Sequence, residues 1–123
     1  MTSGSGGPAI LLVEEETHQR EAIAAHLEAA GFRVQGAGST DEAIAYLDAG
    51  AVAALVTDAH LPGPIDGFEL ARLARERFEG VAVVMMSGHS DASSGPLPEG
   101  AAFVAKPYVL EHLVPTLRRM TGT

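Results

Sequence analysis

The chain has 123 residues, enough for one domain with a real hydrophobic core. It contains no cysteine, which excludes disulfides, a thiolate nucleophile and a zinc site built on sulfur. Its formal charge of −8 repels phosphate backbones and anionic lipid, and no apolar run approaches the ~20 residues that span a bilayer, so neither nucleic acid nor membrane is expected as a direct partner and a cytoplasmic location is expected.

Residues 1–8 are rich in Ser and Gly, lack the basic and apolar segments of a signal peptide, and read as a disordered tail or cloning scar ahead of one domain over 9–121. Ala9 to Val13 (AILLV) is an unbroken apolar run and predicts a strand covered on both faces. From Thr17 to Ala30, Ile23, Leu27 and Ala30 recur at helical spacing, with Gly31 where a left-handed stop is wanted. Arg33 to Ala37 predicts a second strand. Ser39 to Glu42 then has the form of a capping box, opening a helix that carries Ala43, Ile44 and Leu47 and closes near Gly50.

Val52 to Thr57 predicts the third strand, and after a Pro/Gly loop Phe68 to Phe78 shows Leu70, Leu73 and Ala74 on one helical face before Gly80. Val81 to Met86 (VAVVMM) is the most apolar run and predicts a central strand. In the stretch Ser90 to Gly100, two prolines, two glycines and three serines leave at most one short turn where a fourth helix would stand. Ala101 to Ala105 predicts the fifth strand. Leu110, Leu113, Val114 and Leu117 mark a final helix, in which Pro115 should cause a kink near Glu111. Strands alternating with helices predict a single doubly wound α/β fold with a five-stranded parallel sheet, its fourth helix short or missing, and with chemistry at the carboxyl ends of the strands.

Those ends hold Glu14 and Glu15, Asp58, Ser87, and Lys106 followed by Pro107. Each has an ordinary reading when taken alone. Glu14 to Glu16 suits a solvated helix start, Asp58 a loop cap, Ser87 a turn, and Lys106 with Pro107 a loop before a helix. Together they place three carboxylates, a hydroxyl and a lysine at one edge of one sheet. Crowded carboxylates repel unless a cation lies among them, and an all-oxygen set suits a hard ion such as Mg2+. The lysine then serves an arriving anion as a point charge, and the serine as a small donor.

The blocks LLVEEE, VTDAHLPG, DGFEL, MMSGH and FVAKPY resemble, in order, the signature blocks of the response regulator receiver domain of two-component systems, over Ala9 to Thr121. The resemblance implies a flavodoxin-like sheet of order 2-1-3-4-5 and a protein that accepts a phosphoryl group on Asp58. It makes Asp58, Lys106 and Ser87 the reacting set, and Glu14, Glu15, Asp58 and the backbone carbonyl of His60 the ligands of Mg2+. It gives Ser87 and Phe103 the role of a switch; His60 and His89, each two residues after a site residue, would flank the site by position. The implied partners are a sensor histidine kinase or a histidine phosphotransfer protein and a downstream protein target. The implied role is a signalling module, not an enzyme, and because the family's dimer face is built from the fourth helix that is short or missing here, a monomer is the expected state.

Four departures from the family pattern stand out. Glu15 replaces the usual aspartate, with a carboxylate reaching ~1.5 Å farther. Asp58 to Gly67 spans nine positions, one more than is usual, with Pro64 in the added length, which predicts a bulged loop. The stretch from Ser87 to Lys106 is short, and Pro115 interrupts the last helix. The first two departures motivate a rival reading, a pseudo-receiver that is never phosphorylated and acts by protein contact. A flavodoxin-like cofactor protein is disfavoured because Glu14 to Glu16 would repel a phosphate. A hydrolase working through an aspartyl phosphate is disfavoured because His60 stands where it needs a second aspartate. With no basic output domain in the sequence, the expectation is a stand-alone regulator or a fragment of a larger regulator or hybrid kinase.

Overall fold

A computed structural model describes residues 7–87, 98–106 and 109–122. The elements run β1 (Ala9–Val13), α1 (Thr17–Ala29), β2 (Arg33–Ala37), α2 (Thr40–Ala49), β3 (Ala54–Asp58), α3 (Gly67–Arg77), β4 (Ala82–Ser87), β5 (Ala102–Ala105) and α4 (Val109–Thr121). All pairings are parallel, in the order β2-β1-β3-β4-β5. The expected order 2-1-3-4-5 is therefore the order found.

Both sheet faces are covered, which is why the inner strands β1, β3 and β4 read as continuous apolar runs and not as alternating ones. The period of two still sorts their side chains. Leu11, Val13, Leu55, Val83 and Met85 pack with Ala43 and Leu47 of α2 and Phe68, Leu70, Ala71 and Ala74 of α3. Ile10, Leu12, Ala54, Val56, Val84, Met86 and Val104 pack with Ile23 and Leu27 of α1 and Val109, Leu113, Val114 and Leu117 of α4. Odd-numbered positions in these strands thus face α2 and α3, and even-numbered positions face α1 and α4.

The helix starts differ from expectation in one instructive way. Ser39 caps α2, accepting from the Glu42 amide at 3.3 Å, but the Glu42 carboxylate takes the Gly38 amide at 2.7 Å, so only half of the expected capping box forms. The full reciprocal box lies at α3, where Asp66 accepts from the Glu69 amide at 3.0 Å and Glu69 from the Asp66 amide at 3.2 Å. Sequence reading passed over it because Asp66 lies inside the Pro/Gly loop. Gly31 takes φ +102° after α1, as expected of a helix stop.

Strand β3 begins at Ala54, two positions later than the apolar run suggested, because Ala51 takes φ +67° and Ala53 is held by its amide to the Ala9 carbonyl at 2.8 Å. The strand then takes in Asp58, and β4 takes in Ser87. Helix α4 runs as one helix through Pro115. Four helices are found among the described residues. The expectation of a short or missing helix falls mainly on residues 88–97, outside the described residues, as do residues 1–6 of the tail, His89 and Pro107.

Candidate functional site

The carboxyl edge of the sheet is held by ladder bonds that continue just beyond the strands. The Glu14 amide donates to the Ala37 carbonyl at 3.0 Å, the Ala59 amide to Met86 at 2.8 Å, and the Lys106 amide to Ser87 at 2.7 Å. Residues at the strand ends therefore inherit strand alternation. Glu14, Asp58 and Lys106 extend the even series, toward α1 and α4, and their side chains meet. Lys106 Nζ lies 2.9 Å from Asp58 Oδ2 and 3.5 Å from Glu14 Oε1. Asp58 Oδ1 accepts from the His60 amide at 3.1 Å, and Glu14 Oε2 from the Glu16 amide at 3.1 Å.

Glu14 and Asp58 are both buried, at 3% and 8% exposure, although neither is apolar. Burial pushes the Glu14 carboxyl above the ordinary glutamate value, and the neighbouring Asp58 adds to this, against the opposing pull of the Glu16 amide and the Lys106 charge. Burial pulls the Lys106 ammonium down, but the hydrogen bond and charge of Asp58, with the charge of Glu14, outweigh it and hold Lys106 above the ordinary lysine value. One ammonium thus serves two carboxylates unequally. It stabilises Asp58 through a hydrogen bond, and it leaves the desolvation of Glu14 only partly offset.

The three consecutive glutamates take three different positions. Glu14 turns inward, Glu15 is exposed, and Glu16 caps α1 by accepting the Gln19 amide at 2.8 Å. No group of three carboxylate or imidazole side chains able to hold a metal ion occurs among the described residues. The donors nevertheless fit a hard cation of the magnesium type, which binds through one or two carboxylates and keeps several waters. Glu14 Oε1 is buried and accepts no hydrogen bond, so this edge holds an oxygen whose coordination is incomplete.

The lengthened loop after Asp58 is closed at its base by the Gly67 amide donating to the Ala59 carbonyl at 3.0 Å. Leu61 tucks into the core, and Gly63 turns the chain at φ +112°. Position 67 has to be glycine, since a Cβ there would run into the Asp58 carbonyl oxygen and lie 2.8 Å from Ala59 Cα. The start of α3 is pressed directly onto the backbone of Asp58.

Ser87 and Phe103 extend the odd series, on the other face. Ser87 is fully buried, while Phe103, in register with Met85, is 38% exposed. His60 is exposed and reaches Asp58 through its amide. Sequence reading missed Arg20, whose Nη1 donates to the Glu14 carbonyl at 2.8 Å. The usable signal was a pair of glycines, Gly36 and Gly38, at the end of an edge strand.

The family model for the response regulator receiver domain matches residues 10–118. The chain is 31% identical over 118 residues to the C4-dicarboxylate transport transcriptional regulatory protein DctD of Rhizobium meliloti, with 94% of this chain and 25% of DctD covered. It is 32% identical over 124 residues to the sensor kinase CckA of Brucella abortus, with 97% and 13% covered. The chain therefore spans about a quarter of DctD and less of CckA. Among solved structures, the response regulator receiver protein of Sinorhizobium medicae superposes with a TM-score of 0.85 at 28% identity, covering 98% of each chain. No described helix is long and apolar enough to cross a membrane.

Proposed function

The chain belongs to the response regulator receiver domain family of two-component systems, and on that premise we propose that Asp58 accepts a phosphoryl group from a histidine kinase or a histidine phosphotransfer protein in a Mg2+-dependent reaction. The observation that carries this reading is the buried Asp58 carboxylate at the end of a central strand, with one oxygen on Lys106 and the other on the His60 amide, beside the buried Glu14. In the transfer, a bond forms between an Asp58 oxygen and phosphorus as the bond from phosphorus to the donor imidazole nitrogen breaks. Such a reaction asks the protein mainly for positioning and charge neutralisation.

Lys106 and the His60 amide fix the orientation of the acceptor, and Lys106 can then move from the carboxylate to the incoming phosphoryl oxygens. Glu14, Glu15, Asp58 and the His60 carbonyl would hold the Mg2+ ion. When bound, the ion supplies charge neutralisation between the carboxylates and the phosphoryl group. Ser87 would donate its hydroxyl to a phosphoryl oxygen, and its movement would let Phe103 leave its half-exposed position, changing a surface read by a downstream protein. Asp58 takes part once per signalling cycle, so the chain is an acceptor and switch and does not turn over outside substrates. The acidic charge keeps this stretch itself off nucleic acid, whatever the longer transcriptional and kinase relatives do with the rest of their length.

Intact mass after incubation with acetyl phosphate and Mg2+ tests the proposal, the expected result being a gain of one phosphate. The exposure of Glu15 favours one competing reading, the pseudo-receiver that acts by contact alone. No gain at saturating Mg2+ and donor would select that reading.

A further inference from the structure

We propose that Arg20 is the positioning residue that shapes the acidic loop for the divalent cation, and that Gly36 and Gly38 exist to make room for it. This deepens the phosphoacceptor reading and rests on it. Arg20 sits one turn into α1, its amide bonded to the Glu16 carbonyl at 2.9 Å. Its side chain leans back toward the helix start, as helical side chains do. Nη1 donates to the Glu14 carbonyl at 2.8 Å and lies 3.5 Å from the Glu15 carbonyl. Glu16 precedes it by four residues and Glu21 follows it directly, yet Arg20 forms no ion pair among the described residues. The guanidinium is spent on the two carbonyls that orient Glu14 and Glu15.

The glycines confirm what the space is for. Glycine weakens an edge strand, and neither Gly36 nor Gly38 has the positive φ that would require it. A Cβ at Gly36 would lie 3.2 Å from Arg20 Cδ and 3.5 Å from Cγ, and one at Gly38 would lie 3.3 Å from Nη1. The arginine stem lies across Gly36 and its guanidinium lies against Gly38. The unformed half of the capping box has a place in the same arrangement, because Glu42 gives up Ser39 to hold the Gly38 amide at 2.7 Å. Edge strand, arginine and acidic loop form one support behind Glu14 and Glu15.

The sign of the effect separates positioning from charge. If Arg20 mattered only as a nearby cation, removing it would tighten Mg2+ binding by relieving repulsion. If it positions the ligands, removing it loosens binding, as losing a partner behind a metal ligand typically does, by about tenfold or more. The experiment is calorimetric titration of Mg2+ into parent, Arg20→Met, Arg20→Lys and Gly36→Ala without phosphodonor. It is paired with amide exchange at Glu16, whose N–H is held by Glu14 Oε2, in metal-free protein.

Arg20→Met keeps the aliphatic stem and should bind Mg2+ about tenfold more weakly, with faster Glu16 exchange and with the phosphorylation rate restored at saturating metal. Arg20→Lys should fall between it and the parent. Gly36→Ala retains the charge but displaces the stem, and should also weaken binding and quicken exchange. Mg2+ binding by Arg20→Met equal to or tighter than the parent's overturns the inference. Should Arg20→Met fail to fold, Gly36→Ala decides alone, and parent-like binding and exchange in that variant would overturn it. A parent that neither binds Mg2+ nor gains phosphate refutes the phosphoacceptor reading and this inference with it, whereas a phosphorylated parent whose Mg2+ affinity and Glu16 exchange are matched by Arg20→Met refutes only the role of Arg20.

Discussion

On the face covered by α1 and α4, strand alternation delivers Glu14, Asp58 and Lys106, all charged and in mutual contact; on the face covered by α2 and α3 it delivers Ser87 and Phe103, both uncharged. The two groups are neighbours in register at the carboxyl edge of the sheet, where the proposed phosphoryl group on Asp58 would meet the Ser87 hydroxyl. Ser87 pairs with Ala105, and the Ser87 carbonyl accepts the Lys106 amide at 2.7 Å. A reacting centre and its readout can thus share two adjacent strands, with Ser87 belonging to both. In the proposed switch, movement of Lys106 toward a phosphoryl group pulls on the strand that carries Phe103, and movement of Ser87 opens the space beside it.

The largest test of this division is Asp58→Asn, which should abolish the mass gain of one phosphate while leaving the odd-numbered face packed as in the parent. A gain that survives places the acceptor elsewhere and removes the premise. Next comes Lys106→Met, expected to retain phosphate uptake but to lose the response across the sheet. Amide exchange around Phe103 on addition of beryllofluoride should then stay flat, and a change as large as the parent's would show that the two faces communicate without Lys106.

Gly67→Ala should come third, costing about 1–3 kcal/mol because the added Cβ must displace the Asp58 carbonyl or the start of α3. Denaturant unfolding measures it, and a cost below ~0.5 kcal/mol would mean that the close approach is not needed. The smallest effect concerns Glu14→Gln in chelator. The raised pKa means that the fold binds the Glu14 proton more tightly than the unfolded chain does, so the parent loses stability as pH rises from the ordinary 4.5 through the raised value. The glutamine variant should match the parent in acid and exceed it at neutral pH by on the order of 1 kcal/mol, while binding Mg2+ less well. A parent more stable than the variant at pH 7 would contradict the account of Glu14 as a buried charge kept for function.

The strands and helices were legible because the inner strands β1, β3 and β4 are apolar runs covered on both faces and each helix has a periodic stripe. The sheet order came with the resemblance of the signature blocks. The positions of the polar residues at one sheet edge were legible for the same reason, since every chemical exception follows an apolar run. The strand β3 start was misjudged by two positions because Val52 and Ala53 look like strand residues, and only the turn at Ala51 removes them. The capping box was assigned to Ser39 and Glu42 on pattern, whereas Glu42 had a nearer claim on it in Gly38.

The chain by itself determined that carboxylates, a serine and a lysine would gather where parallel strands end. It did not determine how Glu14 and Glu15 would divide between the interior and solvent. The signature block singles out Glu14 and Glu15 as a pair, but three identical side chains have identical local preferences, so nothing in the sequence says which of that pair turns inward. Tertiary structure decided through three separate contacts: the ladder bond to Ala37 continues strand alternation to Glu14, the first turn of α1 takes Glu16 as its cap, and Arg20, lying against Gly36 and Gly38, donates to the Glu14 and Glu15 carbonyls while the Glu15 side chain stands in solvent.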